Sequence, residues 1–130
     1  MASISNAQLV ITRDRPKKLS KVKVTCNVHF SQLELCMMKA CPDGRLFRLR
    51  CSLWGEDILF DDNLFTMANV NFYPDATPSA LESAIFEVTL GDGVLNEDFG
   101  RDEIYGKLVL TNISSNTSVV KKTNTVSGWF

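Results

Sequence analysis

The chain has 130 residues, and its 45% hydrophobic and 22% charged content is ordinary for one globular domain, which excludes wholesale disorder. No apolar run approaches the roughly 20 residues that cross a bilayer, so we expect no membrane span. The first residues lack the basic start and apolar stretch of a signal peptide, and this predicts a cytoplasmic location. No repeat or linker divides residues 1–130, which we expect to form a single domain.

The net charge of −1 hides an asymmetry between the two parts of the chain. Residues 1–50 contain ten basic and three acidic residues, a net charge of +7, whereas residues 51–130 contain four basic and twelve acidic residues, a net charge of −8. Such a division predicts either charge pairing between strands or a molecule with a basic and an acidic side.

Alternation of apolar and polar residues predicts the first strands. AQLVITR (7–13) alternates weakly, and KVKVTCNVHF (21–30) alternates over ten residues. A period of two places one row of side chains inward and the other outward, as in a half-buried antiparallel strand. The inward row of the second segment is Val22, Val24, Cys26, Val28 and Phe30.

The segment QLELCMMKA (32–40) fits both a strand and a helix, because its apolar residues alternate while its composition favours a helix. We predict a strand. PDGR (42–45) is typical of a turn, and the following RLFRLRCSLW (45–54) alternates again, with Arg48 and Arg50 on its polar face.

The rest of the chain continues this pattern of short strands and turns. Further strands are predicted over VNFY (70–73), AIFEVTL (84–90), EIYGKLVLTN (103–112) and TSVVKKTNTV (117–126). Seven or eight short strands without a long helix predict an all-β antiparallel β-sandwich, immunoglobulin-like or C2-like in general architecture, with a closed β-barrel as the alternative.

Little in the sequence predicts catalysis. His29 is the only histidine, and its strand phase places it on an outer face; no nucleophile elbow, phosphate-binding glycine loop or zinc-protease motif is present. The four cysteines lack zinc-ribbon spacing and are expected to be thiols, with Cys26 and Cys51 facing the core.

Acidic residues are concentrated in two predicted loops, WGEDILFDDN (54–63) and GDGVLNEDFGRDE (91–103). Two chain reversals separate these loops, so we expect them at the same end of the sandwich, with Ile58, Leu59 and Phe60 anchoring the first. Calcium prefers clustered carboxylate oxygens, so calcium is the one cofactor the sequence suggests. The candidate ligands are Glu56, Asp57, Asp61, Asp62, Glu97 and Asp98.

Basic residues on two predicted strands form the candidate partner-binding site. If these strands are neighbours, their side chains form one cationic strip that suits an acidic protein surface. We expect no nucleic acid, because aromatic residues do not alternate with the basic ones as stacking platforms. Exposed terminal aromatics extend the site. Its residues are Lys21, Lys23, Arg48, Arg50, Trp129 and Phe130.

These features favour a non-enzymatic interaction module that acts through protein–protein contacts, with self-assembly of basic strands and acidic loops as one form of such contact. Two alternatives remain open. One is a calcium-dependent module for carbohydrate or lipid head groups, and the other is an enzyme that uses loop carboxylates.

Overall fold

A computed structural model describes residues 1–57, 60–91, 93–95 and 102–128. Within these ranges the chain forms eight strands and one helix. In chain order they are β1 (Ser3–Asp14), β2 (Leu19–His29), α1 (Gln32–Ala40), β3 (Phe47–Gly55), β4 (Asp62–Thr66), β5 (Asn71–Tyr73), β6 (Leu81–Gly91), β7 (Asp102–Asn112) and β8 (Thr117–Gly128).

The strands form two antiparallel sheets. The first sheet has the order β1-β2-β6, and the second has the order β4-β3-β7-β8, with β5 also paired to β3. No ladder between described residues joins the two sheets, so the fold is a sandwich and the closed barrel is wrong. The prediction of an all-β antiparallel sandwich with seven or eight strands is confirmed. In the described part of the chain, no helix is long and apolar enough to cross a membrane.

The core lies between the inward rows of the two sheets, as alternation predicts. Val24 and Val28 of β2 and Leu49 and Leu53 of β3 are completely buried, and Phe86 of β6 lies among them. Burial also raises the pKa of the Cys26 thiol to about 11. The pKa of the Cys51 thiol rises to about 12, mainly through burial.

The predicted strand over 32–40 is wrong, because this segment is the helix α1. Its start is fixed by a capping box: the Ser31 hydroxyl accepts from the Glu34 amide at 3.2 Å, while the Glu34 carboxylate accepts from the Ser31 amide at 2.8 Å. These bonds satisfy two amides that a helix start otherwise leaves unpaired. Met38 is the one fully buried residue of the helix, so the helix needs no continuous apolar face towards the core.

The open edge of β1 is closed by a side chain of β8. The Asn124 amide accepts from the Leu9 backbone N–H at 2.7 Å and donates to the Leu9 carbonyl at 3.1 Å. Asn124 therefore imitates the backbone of a neighbouring strand. This contact joins the two sheets on one side of the sandwich.

The acidic segment 54–63, which was predicted as a loop, is only partly a loop in the structure. β3 ends at Gly55, and β4 begins at Asp62, so this acid belongs to a strand. Phe60 is 80% exposed, so its predicted role as an apolar anchor is wrong. Ile58 and Leu59 lie outside the described residues.

Candidate functional site: a cationic face on the second sheet

The outer face of the second sheet carries most of the site. Alternation along β3 turns Arg48 and Arg50 outward, because Phe47, Leu49 and Cys51 occupy the buried row. On β7 the same phase turns Lys107 outward, and the register places it beside Ser52 of β3 and Lys122 of β8. We define the cationic face by five residues: Arg45, Arg48, Arg50, Lys107 and Lys122.

Three of these cations lie over aromatic rings of the same face. The Lys107 ammonium is 4.8 Å from the centroid of the Trp54 ring, and the Lys122 ammonium is 4.7 Å from that of Tyr105. Each ring is attractive to a cation through its negatively charged face. These contacts fix the ammonium groups against the sheet.

Arg45 makes the third such contact at the other end of the face. Its guanidinium is 4.4 Å from the centroid of the Phe72 ring, and Phe72 is paired with Arg48 across β5 and β3. The aromatic residues are therefore interleaved with the cations, contrary to the sequence-based expectation. However, the rings are covered by cations or buried, since Tyr105 is only 4% exposed.

One acid lies at the corner of the cationic face. Asp61 accepts a hydrogen bond from the Tyr105 hydroxyl at 2.6 Å and lies 3.9 Å from the Lys122 ammonium. The Tyr105 hydrogen bond is the main cause that lowers the pKa of Asp61, with the Asp57 amide and Lys122 adding to it. Burial and the Asp61 carboxylate raise the pKa of Tyr105. Asp61 is therefore held as a carboxylate by its own domain.

The other cations of the face have no such acid among the described residues. Lys107 lies directly opposite Lys122 in the register of β7 and β8, an arrangement that is unfavourable for like charges and that Asp61 offsets on the Lys122 side alone. In the ranges that the structure describes, Arg48 and Arg50 form no ion pair, and Nε of Arg48 is buried without a hydrogen-bond partner. The face thus holds an excess of positive charge that an anion would relieve.

The structure separates the two basic pairs that the sequence suggested as one strip. Lys21 and Lys23 belong to the outer face of the first sheet, whereas Arg48 and Arg50 belong to the second sheet. Lys23 also lies 3.9 Å from Glu87 of β6. The continuous strip is therefore wrong, and the strands that pair with β3 at the two arginines are β5 and β7.

The candidate metal ligands are only partly described. The Glu56 amide donates to the Glu103 carbonyl at 2.8 Å, which places the first acidic loop beside the start of β7. Glu97 and Asp98 lie outside the described residues. Among the residues that are described, no group of three or more histidine, cysteine, aspartate or glutamate side chains is arranged to hold a metal ion. Calcium binding remains a prediction.

His29 has a serine neighbour that the sequence did not reveal. Nε2 of His29 lies 2.6 Å from the Ser5 hydroxyl, on the outer face of the first sheet. Within the described ranges no carboxylate contacts the imidazole to orient it, as a nucleophilic triad requires. The contact links β1 to β2 next to the irregular register of β1.

Trp129 and Phe130 lie outside the described residues. Lys107 and Lys122 were not among the predicted site residues, although the strand phase indicates Lys107. In EIYGKLVLTN the outward row runs Tyr105, Lys107 and Val109, so the strand phase alone turns Lys107 to the polar side. The sequence does not show which strand pairs with β3, because that depends on the order of the strands in the sheet.

The fold and this face define an antiparallel β-sandwich with one cationic outer sheet surface. No protein-family model matches the chain, and no curated protein matches it. A comparison with solved structures found a likeness to the X-ray structure of the Northeast Structural Genomics Consortium target SoR45. The two are 9% identical with a TM-score of 0.33, over 98% of this chain and 83% of the other.

Proposed function

We propose that this protein is a non-enzymatic interaction module that binds an acidic segment of a partner protein on its cationic face. The observation that carries the proposal is that Arg48, Arg50 and Lys107 lie on one outer face and form no ion pair with any described acid. Bound carboxylates would supply these cations with partners and give the arginines the bidentate partner that a guanidinium favours. Its cytoplasmic location remains a prediction.

An acidic protein segment fits the face better than a nucleic acid does. Nonspecific binding of single-stranded nucleic acid depends on exposed aromatic rings on which the bases stack. Here the Trp54 ring lies under Lys107, and the Phe72 ring lies under Arg45. The whole chain is also slightly acidic, with a net charge of −1, which opposes long-range attraction of a polyanion.

Fluorescence anisotropy with a labelled glutamate-rich peptide tests this proposal. Arg50→Glu should weaken binding by about tenfold, because it reverses a charge at the centre of the face. Lys21→Glu is the matched control: it makes the same change of net charge on the first sheet and should leave binding unchanged. Binding should weaken as salt is added, since exposed charges are screened.

Equal losses in the two variants would mean that only net charge matters, and the cationic face would then be rejected as the site. Absence of peptide binding by the unaltered protein at low salt would reject the proposed function itself. Tighter binding of single-stranded oligothymidylate than of the peptide would favour a nucleic-acid partner instead.

A further inference from the structure

β6 lies at the edge of the first sheet. It pairs with β2 over residues 81–91 in one continuous register, and no other described strand forms a ladder with it. Its outward side chains include Leu81 and Ile85, which are 53% and 56% exposed. A long, regular edge of this kind offers backbone groups to another strand.

The hydrogen-bond phase shows which backbone groups face away from the sheet. The Phe30 amide donates to the Ala80 carbonyl, and these residues are partners in the same antiparallel register. Hydrogen-bonded pairs alternate along an antiparallel ladder, so the even-numbered residues of β6 turn their N–H and C=O groups towards β2. The odd-numbered residues Ser83, Ile85, Glu87 and Thr89 therefore turn theirs outward.

Two other edges of the sandwich, those of β1 and β4, are protected in ways that β6 is not. Leu9 of β1 has its outward backbone groups bonded by Asn124. β4 is only five residues long, and its register with β3 is interrupted. Short strands, bulges and covering groups are the usual means by which proteins block edge pairing. β6 has eleven residues, an unbroken register and no lysine or proline.

We propose that β6 pairs antiparallel with β6 of a second copy of this chain, which joins two first sheets across a two-fold axis at Ile85. In this register Ile85 faces its own symmetry mate, and Ser83 faces Glu87 of the other copy. Every outward N–H and C=O of the central residues then has a partner, and no two like charges are opposite. The inference is independent of the proposed function, because it uses the other sheet.

The outward residues of β6 are suited to pairing with the same strand of a second copy. The outward row has one charge, Glu87, and the two-fold at Ile85 places a hydroxyl opposite it and an apolar residue at the centre. A two-fold at Glu87 would instead place two carboxylates together, so the charge pattern disfavours that register, and a two-fold at Ile85 adds an apolar contact at the centre. With the two-fold at Ile85, residues 81–89 of the two copies pair, which gives partners to the outward backbone groups of Ser83, Ile85, Glu87 and Thr89.

Sedimentation velocity across a range of protein concentrations tests the pairing. We expect the mass to rise from 14.5 kDa towards twice that value. Ile85→Lys should raise the dissociation constant by about tenfold or more, because it places two ammonium groups at the centre of the interface. Val10→Lys is the matched control, since Val10 is 55% exposed on the same outer face but lies on β1, two strands from the edge.

Amide hydrogen exchange separates strand pairing from side-chain association. In the dimer the outward N–H groups of Ile85 and Glu87 should become protected as concentration rises. A protein that stays monomeric at all concentrations overturns the proposal. So does a dimer that Ile85→Lys and Val10→Lys weaken equally, or one in which these two amides stay unprotected. Circular dichroism should show that both variants remain folded, because both positions are exposed.

Discussion

The Tyr105 hydroxyl donates to the Asp61 carboxylate at 2.6 Å across a separation of 44 residues. Tyr105 is on β7, and Asp61 immediately precedes β4, so the bond joins the residue before β4 to the cationic face. The carboxylate also lies near Lys122, whose ammonium covers the Tyr105 ring. Asp61, one of the predicted calcium ligands, thus already has a hydrogen-bond donor and a nearby ammonium group within the domain.

Replacing Tyr105 by phenylalanine should raise the pKa of Asp61 towards the ordinary aspartate value of about 3.9, because the main cause of its lowering is removed. A carboxyl with a lowered pKa stabilises the fold above its unfolded pKa, and this contribution is lost as pH falls through the folded pKa. Acid unfolding of the variant should therefore lose this part of its pH dependence. NMR titration of the Asp61 carboxyl carbon measures the change, and an unchanged pKa would contradict the hydrogen bond.

Gly106 is needed for the close approach of the two sheets. A Cβ at this position would lie 3.0 Å from the Thr123 methyl and 3.3 Å from a Val24 methyl. Gly106 also donates its buried amide to the Thr123 hydroxyl at 2.8 Å, so the neighbour cannot move without cost. Gly106→Ala should lower the free energy of unfolding by about 1–3 kcal/mol.

Urea unfolding measures this loss against Gly91→Ala, where a Cβ would meet nothing within 4 Å. That control should stay within about 0.5 kcal/mol of the unaltered protein. Equal stabilities for the two variants would show that Gly106 does not limit the packing.

The capping box of α1 should contribute measurably to stability. Ser31→Ala removes the hydroxyl that accepts from the Glu34 amide and should cost about 1 kcal/mol in unfolding free energy. Ser31→Asp keeps an acceptor at the helix start and should restore most of the loss. If the alanine variant unfolds at the same urea concentration as the unaltered protein, the cap is not stabilising.

The four thiols should react in two classes. Cys36 and Cys41 are exposed, whereas Cys26 and Cys51 are buried. Burial raises the pKa of the buried pair to about 11 and about 12, so little reactive thiolate forms there near neutral pH. A disulfide reagent should label two cysteines quickly in the folded protein and all four in urea. Rapid labelling of all four without denaturant would contradict the core placement of Cys26 and Cys51.

Most of the strands could be predicted because their signal is local. The alternation in residues 21–30 appears as β2, with Val22, Val24 and Val28 almost completely buried. The turn before β3 and the sandwich class follow from the same kind of evidence. α1 was predicted as a strand, because the apolar residues of 32–40 alternate; the Ser31–Glu34 capping pair that fixes the helix start is also present in the sequence and predicts a helix.

The candidate site depended on strand order, which the sequence does not express. Alternation alone determined that Arg48 and Arg50 point outward, because inward positions must be apolar. Only the tertiary structure decided that Lys107 and Lys122 share the outer face of the same sheet, while Lys21 and Lys23 belong to the other sheet. The side-chain period is a local property of a strand, whereas the choice of neighbouring strand depends on how all eight bury their inward rows together.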